Sequence, residues 1–331
     1  MWREKLMLEN VLTLDCKEQV ERICSFICRQ TQALKREGAV VGLSGGIDSA
    51  LIAALCVEAL GKSRVLGLIL PEKESSPESS KFAEKHALKL GISTKIVEIT
   101  SPLEAFGTYE KRDEVIKQIF PEYNKDYKIK IVLPPDLLAQ DAFNLFKLIT
   151  EDSEGNINSV RLNKVALNGI VAATNTKQRM RMLHLYFYAE KKNYLVCGTT
   201  NKSENMQGFF VKYGDGGVDI EPIAHLFKTQ VYQLAEHMGV IREIIARKPS
   251  PDTYSLPVND EEFFFRMPFD KLDLLLYAWE NKISLADICS VMELTEEQVK
   301  RAFRDFTAKS HASRHARNMP PALKAEDGKN R

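Results

Sequence analysis

Between residues 39 and 99 the chain alternates short apolar runs with longer, mixed ones. AVV (39–41), RVLGLIL (64–70) and TKIVEI (94–99) are short and rich in branched side chains, which predicts strands, the first of them buried. Residues 50–60 (ALIAALCVEAL) are apolar on nearly every face, as in a helix packed between a sheet and an outer layer. A second helix is expected from a start signal at residues 75–77 to a stop at Gly91. Residues 17–36 carry Val20, Ile23, Cys24, Ile27 and Cys28 at near-helical spacing and predict an amphipathic helix ahead of the first strand. Strand, helix, strand, helix, strand gives an α/β fold with a doubly wound, mostly parallel sheet, whose ligands sit beyond the carboxyl ends of the strands.

From residue 101 to 162 the periodicity weakens, and breakers at 120–124 and 133–136 suggest short helices with loops. Regularity returns with a long helical segment over 168–192, holding Arg179 and Arg181 in its middle, and a buried strand at 194–198. Residues 269–279 are strongly apolar, as in a buried or subunit-packing helix. Residues 283–303 predict two short helices, the second opened by Thr295 as N-cap with Gln298 completing a capping box. The expected organisation is a single domain over 1–331, with an elaboration at 101–162 and a C-terminal helical segment and tail at 269–331.

Composition narrows the partners. With 46 basic and 45 acidic residues, net charge +1, no global field favours nucleic acid or a membrane surface. The six cysteines lack metal-type spacing and read as small core residues in a reducing cytosol. The opening residues mix acids with apolar side chains, unlike a signal peptide, and no apolar run is long enough to span a bilayer. A cytoplasmic location is expected.

The chemistry centres on the turn after the first strand, Gly42, Leu43, Ser44, Gly45, Gly46, Ile47, Asp48 and Ser49. Glycines between a strand and a helix leave room for an anion at the helix amides, so the turn reads as a phosphate cradle. A Walker loop is excluded because no Lys follows the glycines, and the only GKS, at 61–63, precedes a strand. Asp48 inside a phosphate loop would repel its ligand unless a cation lay between them, which implies Mg²⁺. The remaining pattern, S-G-G-x-D-S, resembles the pyrophosphate loop of the N-type ATP pyrophosphatases, which cleave ATP between its α and β phosphates.

A second dense stretch, residues 198–230, carries Glu204 after the later strand, where it could reach the same cation. Its turn YGDGG at 213–217 is expected to need backbone conformations that only glycine tolerates well. Lys228 opens a helix, where a cation opposes the dipole, so a bound anion would account for its place. The order SGGIDS, NTKQRMRM, GTTNKSE, GFFVKYGDGGVD, PIAHLFKTQ, KPS and HARNMPP is similar to that of the ammonia-using NAD synthetases. That resemblance covers residues 17–100 and 163–322 and implies an adenine nucleotide alpha hydrolase-like fold.

What the resemblance implies for the site is specific. ATP would meet Gly42 through Ser49 together with Thr199, Lys228 and Ser250; Mg²⁺ would sit on Asp48 and Glu204. Arg179, Lys212, Asp219 and His315 would hold nicotinate adenine dinucleotide, the deamido form of NAD. The expected reaction is adenylation of that dinucleotide's carboxylate by ATP, then attack by ammonia, with charge stabilised by Lys228 and no protein nucleophile. Too few residues precede the first strand for an amidase domain, so ammonia is free or comes from a separate subunit. A homodimer is also implied. Ala316 stands where the family usually has Lys, which keeps open an amide ligase of the same fold acting on a different carboxylate.

Overall fold

The computed structural model describes residues 10–139 and 145–323; residues 1–9, 140–144 of the elaboration and 324–331 of the tail lie outside them. After α1 (Cys16–Ala33), the chain runs β1 (Ala39–Gly42), α2 (Ile47–Leu60), β2 (Val65–Ile69), α3 (Pro77–Leu90) and β3 (Ser93–Ile96). Strand β7 (Leu195–Cys197) joins β1 on its other side, giving a four-stranded parallel sheet in the order β3-β2-β1-β7.

Period-two alternation in β1 feeds both layers. Ala39 and Val41 pack with Ile23, Ile27, Leu51, Leu55, Val231 and Leu234, whereas Val40 packs with Leu66, Leu68, Leu103 and Ala189. That is why the strand reads as an unbroken apolar run. Helix α2 buries ten of its fourteen residues, in keeping with its all-round apolar sequence. Pro77 opens α3 and the left-handed Gly91 ends it.

The segment 101–162 departs from expectation. Helices α4 (Thr100–Phe106) and α5 (Thr108–Ile119) come first, but β4 (Lys128–Val132), β5 (Lys147–Glu151) and β6 (Ile157–Arg161) then form an antiparallel meander. KIKIV and KLITE alternate apolar with polar positions, and Ile129, Ile131 and Leu148 are fully buried against α5 and the start of α6. Breakers that end each run at five residues also cap the strands, which hides the alternation. Helix α6 (Lys164–Lys192) is longer than the segment read from the sequence: Asn163 caps it by accepting from the Ala166 amide.

Beyond β7 come α7 (Lys202–Gln207), α8 (Lys228–His237), α9 (Arg242–Ile245), α10 (Phe269–Glu280), α11 (Leu285–Met292), α12 (Glu296–Ala312) and α13 (Arg314–Arg317). Thr295 and Gln298 make the expected capping box. Ile288, Val299, Ala302 and Phe306 bury α11 and α12 against Leu272, Leu275 and Leu276 of α10, so this helix pair is core. Among the described residues no helix is long and apolar enough to cross a membrane. All six cysteines are free thiols.

Candidate active site

Because β1 and β7 run parallel as neighbours, the turns that follow them leave the same sheet edge. In the first turn Gly45 has a φ of +75°, and a Cβ there would stand 2.3 Å from the Ser79 carbonyl oxygen. Both facts demand glycine. Ser49 Oγ braces the turn, accepting from the Ser44 amide at 3.2 Å and donating to the Gly46 carbonyl at 3.0 Å. The opening amides of α2, lacking intrahelical partners, head toward this edge with the positive end of the dipole.

The second turn places Glu204 at the third position of α7, where Asn201 caps the helix. Asn201 accepts from the Glu204 amide, and Glu204 Oε2 accepts from the Asn201 amide at 3.2 Å. Asn201 Nδ2 also donates to Asp48 Oδ1 at 2.9 Å, which locks the two carboxylates into one frame. The Lys228 ammonium sits between them, 2.5 Å from Asp48 Oδ2 and 3.2 Å from Glu204 Oε1. Besides the nucleotide anion expected there, Lys228 has two carboxylates of the protein as partners, and they offset the unfavourable helix dipole. Burial alone would lower this ammonium, yet Asp48 and Glu204 hold its pKa well above the usual lysine value.

Three carboxyl groups stand around that one ammonium. Asp260, brought in by a single π-helical turn (Glu261–Phe265) packed on Phe209, is buried, and its Oδ1 has no hydrogen-bond partner. Burial pushes its carboxyl up to about 7, against the pull of Lys228 and with Asp48 adding to the rise. Burial raises Glu204 as well. Glu221 accepts from the Thr200 amide and hydroxyl at 3.2 and 3.1 Å, and burial pushes it up to about 7. Among the described residues no three His, Cys, Asp or Glu side chains form a ready-made metal cage.

Asp48, Glu204, Lys228 and Asp260 line one cleft of about 270 Å³, with Gly42, Leu43, Ser44, Gly46, Ile47 and Ser49 on one wall and Thr199 and Ser250 among the others; Asn201 and Glu221 do not line it. Gly45 shapes the turn without lining the cleft. Arg179, Lys212 and His315 do not line the cleft but meet one another: Arg179 Nε donates to the Lys212 carbonyl at 3.3 Å, and Lys212 Nζ to the His315 carbonyl at 2.9 Å. Asp219 stands apart from these three, accepting from the Val196 amide at 2.7 Å and the Tyr186 hydroxyl at 3.2 Å.

The YGDGG expectation is corrected. Tyr213, φ +59°, takes the left-handed conformation there, and Gly214, Gly216 and Gly217 do not. A Cβ on Gly216 would lie 2.6 Å from the Phe210 ring, so close packing is what requires glycine. Asn201, Asp260 and Arg181 join the site although no sequence motif named above includes them in that role. Asn-x-x-Glu at 201–204 was a legible capping box, and Arg181, which lines the cleft and donates to the Leu70 carbonyl, lies two residues beyond Arg179.

Comparison with known proteins places the chain in a family. The family model described as NAD synthase matches residues 19–131 and 141–320. An NH(3)-dependent NAD(+) synthetase of Mesorhizobium japonicum is 43% identical over 96% of this chain and 99% of its own. An NH3-dependent NAD synthetase of Campylobacter jejuni, solved with nitrate, superposes with a TM-score of 0.62 at 26% identity, covering 94% of this chain and all of the other. The fold is also that of an NMN synthetase from Francisella tularensis, with a TM-score of 0.65 at 22% identity over 94% of this chain and 99% of the other. With the family model matching most of its length and a relative 43% identical over nearly all of it, the chain belongs to the NAD synthase family.

Proposed function

We propose that this protein uses ATP to join ammonia to the carboxylate of nicotinate adenine dinucleotide, releasing NAD, AMP and pyrophosphate. It is a ligase of its family, and ATP is a co-substrate. The observation that carries the reading is the meeting of a glycine phosphate turn with Asp48, Glu204 and Lys228 in one cleft.

In this scheme a carboxylate oxygen of the dinucleotide attacks the α phosphorus of ATP, and the bond from that phosphorus to the β-phosphate oxygen breaks. Ammonia then attacks the acyl carbon, loses a proton, and AMP leaves carrying the carboxylate oxygen. The glycine turn, Thr199 and Ser250 bind and align the nucleotide, and Lys228 offsets charge at the transferring phosphorus. Arg179, Lys212, Asp219 and His315 are assigned to the dinucleotide.

The donor set suits Mg²⁺: hard carboxylate oxygens, more of them than one ammonium neutralises, with one Asp260 oxygen unpartnered. Mg²⁺ keeps several waters and needs only one or two carboxylates besides phosphate oxygens, so Asp48 and Glu204 suffice without a full cage. When bound, the ion supplies neutralisation of phosphate charge. A homodimer belongs to the same proposal, supported by exposed Leu183 and Phe187 one turn apart on α6, as does a cytoplasmic location.

The test is release of AMP and pyrophosphate from ATP with Mg²⁺ and ammonium, with and without the dinucleotide. Release that requires it, with NAD appearing in step, is the expected result. Protein that binds ATP but acts only when another carboxylate is supplied would favour the second reading, to which Ala316 points: a ligase of the same fold with a different acceptor.

A further inference from the structure

Away from the phosphate turn, a cluster of four charged side chains is buried where no step of the proposed reaction uses it. Lys177 in α6 is 1% exposed and Glu72 is 4% exposed. Lys177 Nζ donates to Glu72 Oε1 at 2.9 Å, to Glu74 Oε2 at 2.6 Å and to the Thr253 carbonyl at 2.8 Å. Arg112 of α5 grips both oxygens of Glu74, at 2.9 and 2.8 Å, and the Tyr109 hydroxyl donates to Glu72 Oε2 at 2.7 Å. These two carboxylates therefore face two cations, and Asp113 adds a third carboxylate by accepting from Arg112 at 3.0 Å. Burial alone would raise the Glu74 carboxyl, but Lys177 and Arg112 hold it below its usual range.

Four buried charges are a poor route to stability, because an apolar set of similar volume does as well or better. Their connectivity gives another reason for them. The three oxygens on Lys177 belong to two separate loops, residues 70–76 and 250–254, and both loops supply walls of the nucleotide cleft. On the rim of the second loop, Asp252 accepts from the Ser76 amide at 3.0 Å and the Ser79 hydroxyl at 2.7 Å. Ser79 in turn presses its backbone on Gly45 of the phosphate turn. One helical turn along α6, Arg181 donates to the Leu70 carbonyl at 3.2 Å and to Ser75 Oγ at 3.3 Å. Positions i and i+4 thus place two cations under one loop.

We infer that Lys177 is a positioning residue that ties the 70–76 and 250–254 loops together and so sets the width of the ATP cleft. The inference rests on the ATP half of the proposed function and is independent of the acceptor. It also explains why α5 of the elaboration packs here, since Arg112 holds the far side of Glu74.

The test compares wild type, Lys177→Met and the charge-balanced double variant Lys177→Met/Glu72→Gln, which stays neutral should the single variant fail to fold. ATP binding is measured by calorimetry with Mg²⁺, and kcat and both KM values at steady state. The double variant is expected to melt close to wild type while the Kd and KM for ATP rise about tenfold, the scale of one lost charged contact. The dinucleotide KM should change less than about threefold. A folded double variant with wild-type ATP affinity, or equal rises in both KM values, would overturn the inference. Wild-type protein that binds ATP without making NAD would instead sink the acceptor assignment, and the calorimetric comparison would still decide the role of Lys177.

Discussion

The Lys228 ammonium lies 2.5 Å from Asp48 Oδ2, joining the first residue of α8 to the first turn of α2 across the cleft. Removing the carboxylate charge while keeping its shape leaves Asn201 and Lys228 with a neutral partner. Asp48→Asn should therefore fold, yet lose about a hundredfold in kcat, on the order of 3 kcal/mol of transition-state stabilisation. Thermal unfolding and AMP release check both halves, and near wild-type turnover would remove Asp48 from the chemistry.

Asp260 carries the opposite signature. A buried carboxylate with an unpartnered oxygen beside Asp48 destabilises the ligand-free fold. Asp260→Asn should raise the melting temperature without nucleotide, by the equivalent of about 1 kcal/mol, and weaken Mg·ATP binding. Calorimetry reads both; a lower melting temperature would mean the carboxylate is satisfied in solution.

Gly45→Ala would put a methyl group against the Ser79 backbone at a left-handed φ. Neither strain has a flexible side chain to relieve it, so a loss of about 1–3 kcal/mol of stability is expected. ATP affinity should fall with it. Unchanged melting and Kd would show that the turn relaxes.

Much of this is legible in the residues themselves, for identifiable reasons. β1, α2 and the phosphate turn are encoded locally, by an apolar run, glycines and a helix start, and Thr295 with Gln298 announce their own capping box. What residues 128–161 form depends on α5 and α6, which bury Ile129 and Leu148, and five-residue runs between breakers carry too little local signal to reveal a meander. Asp48 and Glu204 can be paired from the order of strand-ending turns. That Lys228 fills the space between them is a tertiary fact; helix-dipole reasoning leads only to a bound anion near it and does not name the two carboxylates. Asp260 escapes a reading of the sequence because its position depends on the packing of Phe209 against Phe263, Phe264 and Phe265.

Glu221 supplies a pH dependence away from the carboxylates that pair with Lys228. Burial raises it from 4.5 to about 7, so the folded state holds a proton that the unfolded state has lost in between. Its contribution to stability is full below about pH 4.5 and disappears as pH rises through about 7. Glu221→Gln removes this loss. The variant should gain on wild type by about 1–3 kcal/mol between pH 5 and pH 8 in denaturant titrations, whereas a gap independent of pH would place the ionised form comfortably in the fold.

Activation of the dinucleotide's carboxylate as an adenylate is tested most directly with ¹⁸O in that carboxylate, following the label by mass spectrometry after turnover with ATP, Mg²⁺ and ammonia. One labelled oxygen in AMP and none in pyrophosphate is the expected outcome. Label in inorganic phosphate with ADP as the co-product, or NAD formed with unlabelled AMP, would contradict it.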